Sequence, residues 1–159
     1  MYPLNKSSGF KPGDLLFLSE DSLIIILKMA SKDYIEKNRK WLEDKANEPG
    51  VITLDKGVYY KPLKKGNGTI HPNRGSVVTV HYTGKTINGK VFDNSRGGVA
   101  PAFRLRDLIP GWIIALQKMT IGDKWEIYIP AEQAYGKINQ PGIPGGSTLI
   151  FEIELKGIA

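Results

Sequence analysis

Residues 108 to 116 read Leu108-Ile109-Pro110-Gly111-Trp112-Ile113-Ile114-Ala115-Leu116. Pro110 fits the first turn of a helix, where its missing amide hydrogen costs no hydrogen bond. Asp107 lies just upstream, and we expect its carboxylate to cap the first amides of this helix. Because the helix is apolar nearly all round, it must be buried on nearly all sides, with Trp112 facing inward.

A two-residue period of apolar side chains begins after Val51 and predicts a sheet around this helix. In residues 76–86, the clearest strand, Val78, Val80 and Tyr82 point to one face. Asn88-Gly89 then predicts a tight hairpin. Strands with hairpin-length links and one short helix predict an α+β domain with an antiparallel sheet. Further strands are expected at 57–61, 91–92, 101–106, 124–130 and 148–156.

The residues before this domain predict a helical segment. Ser19 followed by two acidic residues is typical of a helix start, and Pro49-Gly50 is expected to end the segment. One helix, or two helices broken near Ser31, would both fit the pattern. Apolar residues recur at roughly helical spacing at Leu23, Leu27, Ala30, Tyr34, Trp41 and Leu42.

An isolated helix is marginal in water, so this apolar stripe must pack on the main domain or on a second copy of the chain. Both alternatives stay open. We therefore divide the chain into residues 1–50, a leader and helical segment that dimerises under the second alternative, and residues 51–159, the main domain. Removal of residues 1–47 is expected to leave that domain folded.

The composition indicates a globular protein with a basic surface. The chain has 159 residues, 41% of them hydrophobic, and a formal net charge of +6. One group of lysines, with two tyrosines between them, would suit nucleic-acid binding. No arginine cluster accompanies it, so we favour a strand edge protected by lysines and expect no nucleic-acid partner. The group comprises Lys56, Tyr59, Tyr60, Lys61, Lys64 and Lys65.

The N-terminal residues bear on the compartment. Residues 1–14 have no period and indicate a mobile leader. No run of eighteen uncharged apolar residues is present, so we expect no membrane-spanning segment. Met29-Ala30 before Ser31 is a weak cleavage pattern for a signal peptide, but charged residues interrupt the apolar run. We expect a cytoplasmic protein, with the periplasm as the alternative.

The chain lacks the residues that covalent catalysis or metal binding would require. The two histidines, His71 and His81, are interpreted as structural, and the chain has no nucleophile elbow and no cysteine. No His or carboxylate cluster has the spacing of a metal site. We therefore expect no metal and no cofactor.

An aromatic set with one carboxylate remains as the candidate site. Such a set is core by default, but Asp93 and the hydroxyls of Tyr82 and Tyr135 need polar partners when buried. A pocket with aromatic walls and a few polar groups would satisfy both demands. The aromatic members are Tyr82, Phe92, Phe103, Trp112, Tyr135 and Phe151.

Five short motifs together give this chain a specific resemblance to a known family. In this order and with this spacing, across about residues 51–158, they resemble the FKBP family of peptidyl-prolyl cis/trans isomerases. The upstream pattern is similar to the bacterial branch that includes the macrophage infectivity potentiators, whose members often carry a helical dimerisation segment. The motifs are Val80-His81-Tyr82-Thr83-Gly84, Gly89-Lys90-Val91-Phe92-Asp93-Asn94-Ser95, Ile109-Pro110-Gly111-Trp112, Ala134-Tyr135-Gly136 and Ser147-Thr148-Leu149-Ile150-Phe151.

The resemblance implies a half-barrel of antiparallel strands curled around the short helix. Its site would be a shallow apolar pocket with Trp112 as the floor and Ile143 in a flap above it. The catalytic polar groups implied are Asp93, near the twisted amide, and the hydroxyls of Tyr135 and Tyr82. The implied walls are Tyr82, Phe92, Leu108, Ile109, Tyr135 and Phe151.

The implied activity is isomerisation of X-Pro bonds in unfolded or exposed segments, which assists protein folding. Its substrates would be proline-containing polypeptides, and macrolide ligands of the family would bind the same pocket. The alternative is a binding or chaperone module of the same fold with weak turnover.

Three departures from the family pattern affect the site. Many relatives have an arginine three residues before the proline that matches Pro101, where this chain has Gly98. Arg96 is nearby but displaced, which leaves the charge partner of Asp93 open. The segment Pro101-Ala102-Phe103 is one residue shorter than usual, and Phe103 fits either the wall or the core. Gly145-Gly146 is expected to loosen the flap, and we predict a wider pocket than in compact single-domain relatives.

Overall fold

The computed structural model describes residues 19–159, and its first element is the helix α1, Glu20–Ala46. The expected leader of residues 1–14 lies outside the described residues. Ser19 caps α1, because its hydroxyl accepts a hydrogen bond from the Ser22 amide at 3.1 Å. The helix is continuous past Ser31, so the alternative of two broken helices is wrong.

Seven strands form one antiparallel sheet, and with the helices they confirm the α+β class. The sheet order is β1-β2-β6-β7-β3-β4, and β5 pairs with β3 beside that path. The strands are β1 (Ile52–Thr53), β2 (Tyr59–Lys64), β3 (Val77–Lys85), β4 (Val91–Asn94), β5 (Ala102–Arg104), β6 (Lys124–Ile129) and β7 (Leu149–Ile158).

The strand pattern read from the sequence holds in the centre of the sheet and shifts at its margins. Val78, Val80 and Tyr82 of β3 are buried, as predicted. β2 begins two residues later and runs three residues further than expected, and β1 pairs with only its first two residues. Pro62 therefore lies beyond β1, at an edge where no other strand of the described residues would require an amide hydrogen from it. The strand expected at 101–106 is shorter because the chain turns into a 3₁₀ helix, Leu105–Asp107.

The helix α2, Pro110–Leu116, is the buried helix predicted from the apolar run. Five of its seven residues are buried, including Trp112, and the core of the domain lies between it and the sheet. The expectation that Asp107 caps this helix is wrong. The N-cap is Ile109, which has no side chain able to cap, and two residues with extended dihedral angles separate Asp107 from Pro110.

The two halves of α1 differ in burial. In the C-terminal half, Tyr34 and Asn38 are buried, and Trp41 packs edge-to-face on Tyr128 of β6 with ring centroids 5.8 Å apart. The second half of the apolar stripe thus packs within the chain. In the N-terminal half of α1, four apolar side chains are exposed to solvent, namely Ile24, Ile25, Leu27 and Met29, by 48%, 57%, 60% and 65%.

Candidate functional site

Three aromatic rings enclose the indole of Trp112 at the start of α2. The Trp112 ring meets Tyr82 at 5.1 Å, Phe151 at 5.2 Å and Phe103 at 6.1 Å between centroids, each edge-to-face. Phe92 joins the cluster through Phe151, at 5.6 Å. The strands β3, β4, β5 and β7 and the helix α2 therefore bring together residues that lie up to 69 positions apart in the sequence.

Gly84 allows two of these rings to approach the backbone of β3. A Cβ atom on Gly84 would lie 2.6 Å from Phe151 Cε1 and 2.7 Å from Phe92 Cζ. The register places Gly84 opposite Phe151 on β7 and opposite Asp93 on β4. In the sequence Gly84 is visible only as part of a motif, because a missing side chain gives no sign of which rings will occupy its space.

A hydrogen bond joins the two polar groups at one side of the cluster. The Tyr82 hydroxyl donates to Asp93 Oδ2 at 2.7 Å, and Asp93 Oδ1 accepts from the Asn94 amide. Burial raises the pKa of the Tyr82 phenol well above its usual value, and the Asp93 carboxylate and nearby Tyr135 raise it further. Tyr82 is therefore a protonated donor throughout the physiological range. The expected burial of Asp93 is wrong, because the residue is exposed to solvent.

Ser95, which the sequence analysis did not assign to the site, holds Tyr82 in place. Its hydroxyl accepts a hydrogen bond from the Tyr82 amide at 2.7 Å, and its own amide donates to the Tyr82 carbonyl at 2.9 Å. His81 Nδ1 lies 3.1 Å from the same hydroxyl. The Gly89-to-Ser95 motif contained Ser95, but only the hairpin of β3 and β4 shows that it contacts Tyr82.

The loops supply the remaining predicted site residues. We call residues 135–148, which end where β7 begins, the flap. Tyr135, at its start, is 37% exposed, whereas Ile143 is buried in the core cluster. Gly142 brings the flap against the strands, because a Cβ there would lie 3.2 Å from Phe92 Cβ. Leu108 and Ile109, just before α2, are partly buried against the same cluster.

Trp112 is more enclosed than an open, shallow hollow would allow. Only 4% of the residue is exposed, and its indole N–H has no hydrogen-bond partner within the described residues. Buried donors usually have a partner. A ligand carbonyl that reached this ring would therefore find an unused donor, and it would reach the ring only after neighbouring side chains moved.

The structure shows the surroundings of the residues that depart from the family pattern. Phe103 contacts Tyr82 and Trp112, each at 6.1 Å, so it belongs to the cluster around the floor. Arg96 Nη2 pairs with Glu152 at 3.1 Å. Within residues 19–159, Asp93 forms no ion pair, and the space around Gly98 is open.

A cavity of about 110 Å³ lies away from this cluster, between α1 and the segment 130–148. Its lining contains no aromatic residue, and its carboxylate, Glu132, lies 3.9 Å from Arg39. The cavity offers no aromatic ring against which a proline could pack, so we retain the cluster around Trp112 as the candidate site. In the part of the chain that the structure describes, no group of three or more His, Cys, Asp or Glu side chains is placed to hold a metal ion.

Comparisons with known proteins agree with this geometry. A family model described as FKBP-type peptidyl-prolyl cis-trans isomerase matches residues 68–156. The chain is 47% identical over 118 residues to the FKBP-type 22 kDa peptidyl-prolyl cis-trans isomerase of Escherichia coli, covering 73% of this chain and 57% of that protein. It is 38% identical over 160 residues to the outer membrane protein MIP of Legionella longbeachae, covering 90% and 68%. The chain thus spans little more than half the length of the first relative.

Two solved structures have the same fold. A peptidyl-prolyl cis-trans isomerase from Pseudomonas syringae superposes with a TM-score of 0.75 at 35% identity, covering 81% of this chain and 96% of that one. FkpA from Escherichia coli gives a TM-score of 0.74 at 32% identity, covering 99% and 83%. These matches confirm the resemblance drawn from the five motifs and the α+β fold of strands around a short helix.

Two findings concern the cellular compartment of the protein. Neither helix among residues 19–159 is long and apolar enough to cross a bilayer. The expected cytoplasmic location receives no support from the relatives, one of which is named an outer membrane protein.

Proposed function

Because this chain belongs to the FKBP-type peptidyl-prolyl cis-trans isomerase family, we propose that it isomerises X-Pro bonds in unfolded or exposed polypeptide segments and so assists folding. One observation carries the proposal. The enclosed indole of Trp112, with its unused N–H, lies beside a hydrogen-bonded Tyr82–Asp93 pair at the edge of an aromatic cluster.

The reaction suits a site of this kind. An X-Pro bond isomerises through a form twisted about the C–N bond, across a barrier of about 20 kcal/mol, and takes tens of seconds or more without a catalyst. No covalent bond forms or breaks, so the reaction requires no nucleophile. Water stabilises the planar, polarised amide more than the twisted one. A dry aromatic site that holds the proline ring therefore favours the twisted form.

The polar groups at the edge would act on the twisted amide. We propose that the Tyr135 hydroxyl holds the carbonyl that precedes the proline, because Tyr135 is exposed at the start of the flap and is part of the Ala134-Tyr135-Gly136 motif. Asp93 would complement the charge of the twisted amide, held by its bond to Tyr82. Each polar contribution is expected to be about 1–3 kcal/mol.

A protease-free isomerisation assay on a proline tetrapeptide tests the proposal. We expect the full chain to accelerate the exchange and a macrolide ligand of the family to inhibit it. Tetrapeptide turnover that is indistinguishable from the uncatalysed rate would contradict the isomerase proposal.

A binding or chaperone module with weak turnover is the second candidate. One observation favours it, namely the absence, within residues 19–159, of an ion pair to Asp93. Such a module would bind the macrolide and suppress aggregation of an unfolded client while leaving the tetrapeptide rate nearly unchanged. The assay and a macrolide-binding titration on the same sample separate the two candidates.

We also propose that the N-terminal half of α1 joins two copies of the chain. The support is the apolar surface at Ile24, Ile25, Leu27 and Met29, which no other described element covers. A cut after Ala30 removes this surface but keeps the contacts of Tyr34, Asn38 and Trp41. A cut after Asn47, as the domain division suggests, would remove those contacts as well.

Sedimentation of the full chain and of residues 31–159 tests the dimer. We expect the full chain to sediment as a dimer and the shortened chain as a folded monomer. Leu27→Glu should give a monomer at full length, whereas Lys28→Glu, on an exposed polar position, should leave the dimer intact. Monomers in both the full and the shortened chain would exclude this interface.

For the compartment, we propose the periplasm rather than the cytoplasm. The support is the relative named an outer membrane protein. Fractionation of the native cells with an antibody against residues 51–159 checks this proposal. Recovery with the cytoplasmic fraction would contradict it.

A further inference from the structure

An asparagine on the buried face of α1 bonds to the end of the flap. Asn38 is 1% exposed and lies one helical turn after Tyr34 and one before Trp41, where the apolar stripe would place a hydrophobic residue. Its Oδ1 accepts a hydrogen bond from the Thr148 amide at 2.8 Å. Its Nδ2 donates to the Tyr34 carbonyl at 2.9 Å, which fixes the orientation of the side-chain amide.

A second bond reaches the neighbouring residue of the same segment. The Tyr34 hydroxyl and the Ser147 hydroxyl lie 2.6 Å apart, and both residues are buried. Ser147 also donates to the Pro144 carbonyl, which lies within the flap. Buried polar groups are costly unless they are hydrogen-bonded, so these bonds hold α1 and the segment in one arrangement.

The backbone at the end of the flap fits closely against the same helix. Gly146 has a φ of +83°, and a Cβ there would lie 2.4 Å from Ile35 Cγ1. The Gly146 amide donates to the Gly136 carbonyl at 2.8 Å and so closes the base of the flap. The residue that closes the base of the flap, Gly146, is therefore also a residue that contacts α1.

Packing of this segment against α1 is close at Gly146 but incomplete beside it. The cavity of about 110 Å³ lies between α1 and the segment, with Asn38, Gly136, Gly146 and Thr148 among its lining residues. Across a void there are few van der Waals contacts to resist displacement. The hydrogen bonds of Asn38 and Tyr34 thus hold the segment beside this cavity, in addition to the contact of Gly146 with Ile35.

We propose that Asn38 and Tyr34 are positioning residues that tie the end of the flap to α1 and thereby set where Ile143 and Tyr135 lie relative to Trp112. Ile143 is four residues before Ser147, and Phe151 is three residues after Thr148. The tie therefore lies between two elements of the candidate site. Its effect on catalysis rests on the proposed isomerase function, whereas its effect on the order of the flap does not.

The test uses the full chain with Asn38→Ala, Tyr34→Phe, Ser147→Ala and the last two combined. Trp41→Leu is the matched control, because it weakens the contact of α1 with Tyr128 without touching the flap. Amide hydrogen exchange of residues 136–148 reports the order of the flap, and kcat and KM are measured separately.

We expect Asn38→Ala to speed exchange in the flap, including Thr148, about tenfold and to raise KM about five- to tenfold. The value of kcat should change less than KM does, because Asp93 and Tyr82 are held by strands and only Tyr135 would shift with the flap. Tyr34→Phe and Ser147→Ala should each have a smaller effect, and the double variant should resemble either single one. Trp41→Leu should lower the melting temperature and leave KM unchanged.

Three results would overturn the inference. Unchanged exchange in the flap of Asn38→Ala is the first, and an equal rise of KM in Trp41→Leu, which would indicate general loosening, is the second. Full additivity of Tyr34→Phe and Ser147→Ala is the third. If Asn38→Ala fails to fold, the Tyr34→Phe and Ser147→Ala cycle decides. An inactive wild-type chain would contradict the proposed function alone, because the exchange data would still decide whether α1 orders the flap.

Discussion

The strand side and the loop side of the candidate site are held in different ways. The strand side comprises Tyr82, Phe92, Asp93 and Phe151 on β3, β4 and β7, where register and ring contacts fix each residue. The loop side comprises Leu108, Ile109, Tyr135 and Ile143, which lie before α2 and in the flap. Substitutions on the strand side should therefore affect stability and activity together, whereas those on the loop side should affect activity with little change in stability.

The largest effect is expected from Gly84→Ala on the strand side. The new methyl would displace the rings of Phe151 and Phe92, and overpacking of this kind costs about 1–3 kcal/mol. We expect the free energy of unfolding in urea to fall by that amount and kcat/KM to fall at least tenfold. Gly98→Ala is the matched control, because its Cβ meets nothing within 4 Å. Equal effects of the two variants would show that crowding of Phe151 and Phe92 by the new methyl is not the cause.

Asp93→Ala should have the next largest effect, mainly on activity. It removes the acceptor of the Tyr82 hydroxyl and the charge beside the substrate amide. We expect kcat/KM to fall about tenfold and the free energy of unfolding to fall by about 1 kcal/mol. Asp93→Asn keeps an acceptor for Tyr82 but removes the charge, so its kcat/KM measures the charge alone. Wild-type kcat/KM in both variants would remove Asp93 from the mechanism.

Tyr135→Phe on the loop side should affect activity alone. Within residues 19–159 its hydroxyl has no hydrogen-bond partner, so its loss should change the free energy of unfolding by less than about 0.5 kcal/mol. We expect kcat/KM to fall about two- to fivefold, as for one hydrogen bond to the substrate. A drop in unfolding free energy comparable to that of Gly84→Ala would show that the flap is as structural as the strands.

The smallest effect concerns pH and the Tyr82 hydroxyl. Burial, with help from Asp93, raises the pKa of Tyr82 in the folded chain above its ordinary value of 10.0. Above pH 10 the unfolded chain therefore loses the Tyr82 proton while the folded chain keeps it, and stability falls as pH rises. We expect the unfolding free energy of the wild type to decline more steeply above pH 10 than that of Tyr82→Phe. Parallel declines would place Tyr82 in a more solvated setting.

The sequence predicted the central elements of the fold because their apolar periods are long and regular. The run from residue 108 required a buried helix, and the alternation in residues 76–86 required a strand with Tyr82 inward. The prediction that Asp107 caps α2 was wrong. The start of the helix depends on the backbone angles of Leu108 and Ile109, which the residue types do not reveal. A buried Asp93 was also assumed, although residue 93 lies near the exposed end of a short strand.

Within the candidate site, the motifs supplied the residue types but not the contacts. The set around Trp112 was predicted, including Tyr82 and Phe151, whereas the place of Phe103 and the support from Ser95 were not. Phe103 joins the cluster because β5 pairs with β3, a contact between strands distant in sequence. Ser95 reaches Tyr82 through the hairpin.

The sequence by itself determined that α2 and one face of β3 must be buried, because a long and regular hydrophobic period commits those residues to the interior. It also determined the family, since five motifs in order and spacing identify it. Only the tertiary structure decided which half of α1 packs on the sheet and that Asn38 bonds to the flap. Such contacts depend on hydrogen bonds between residues about 110 positions apart, and no local pattern specifies these pairs.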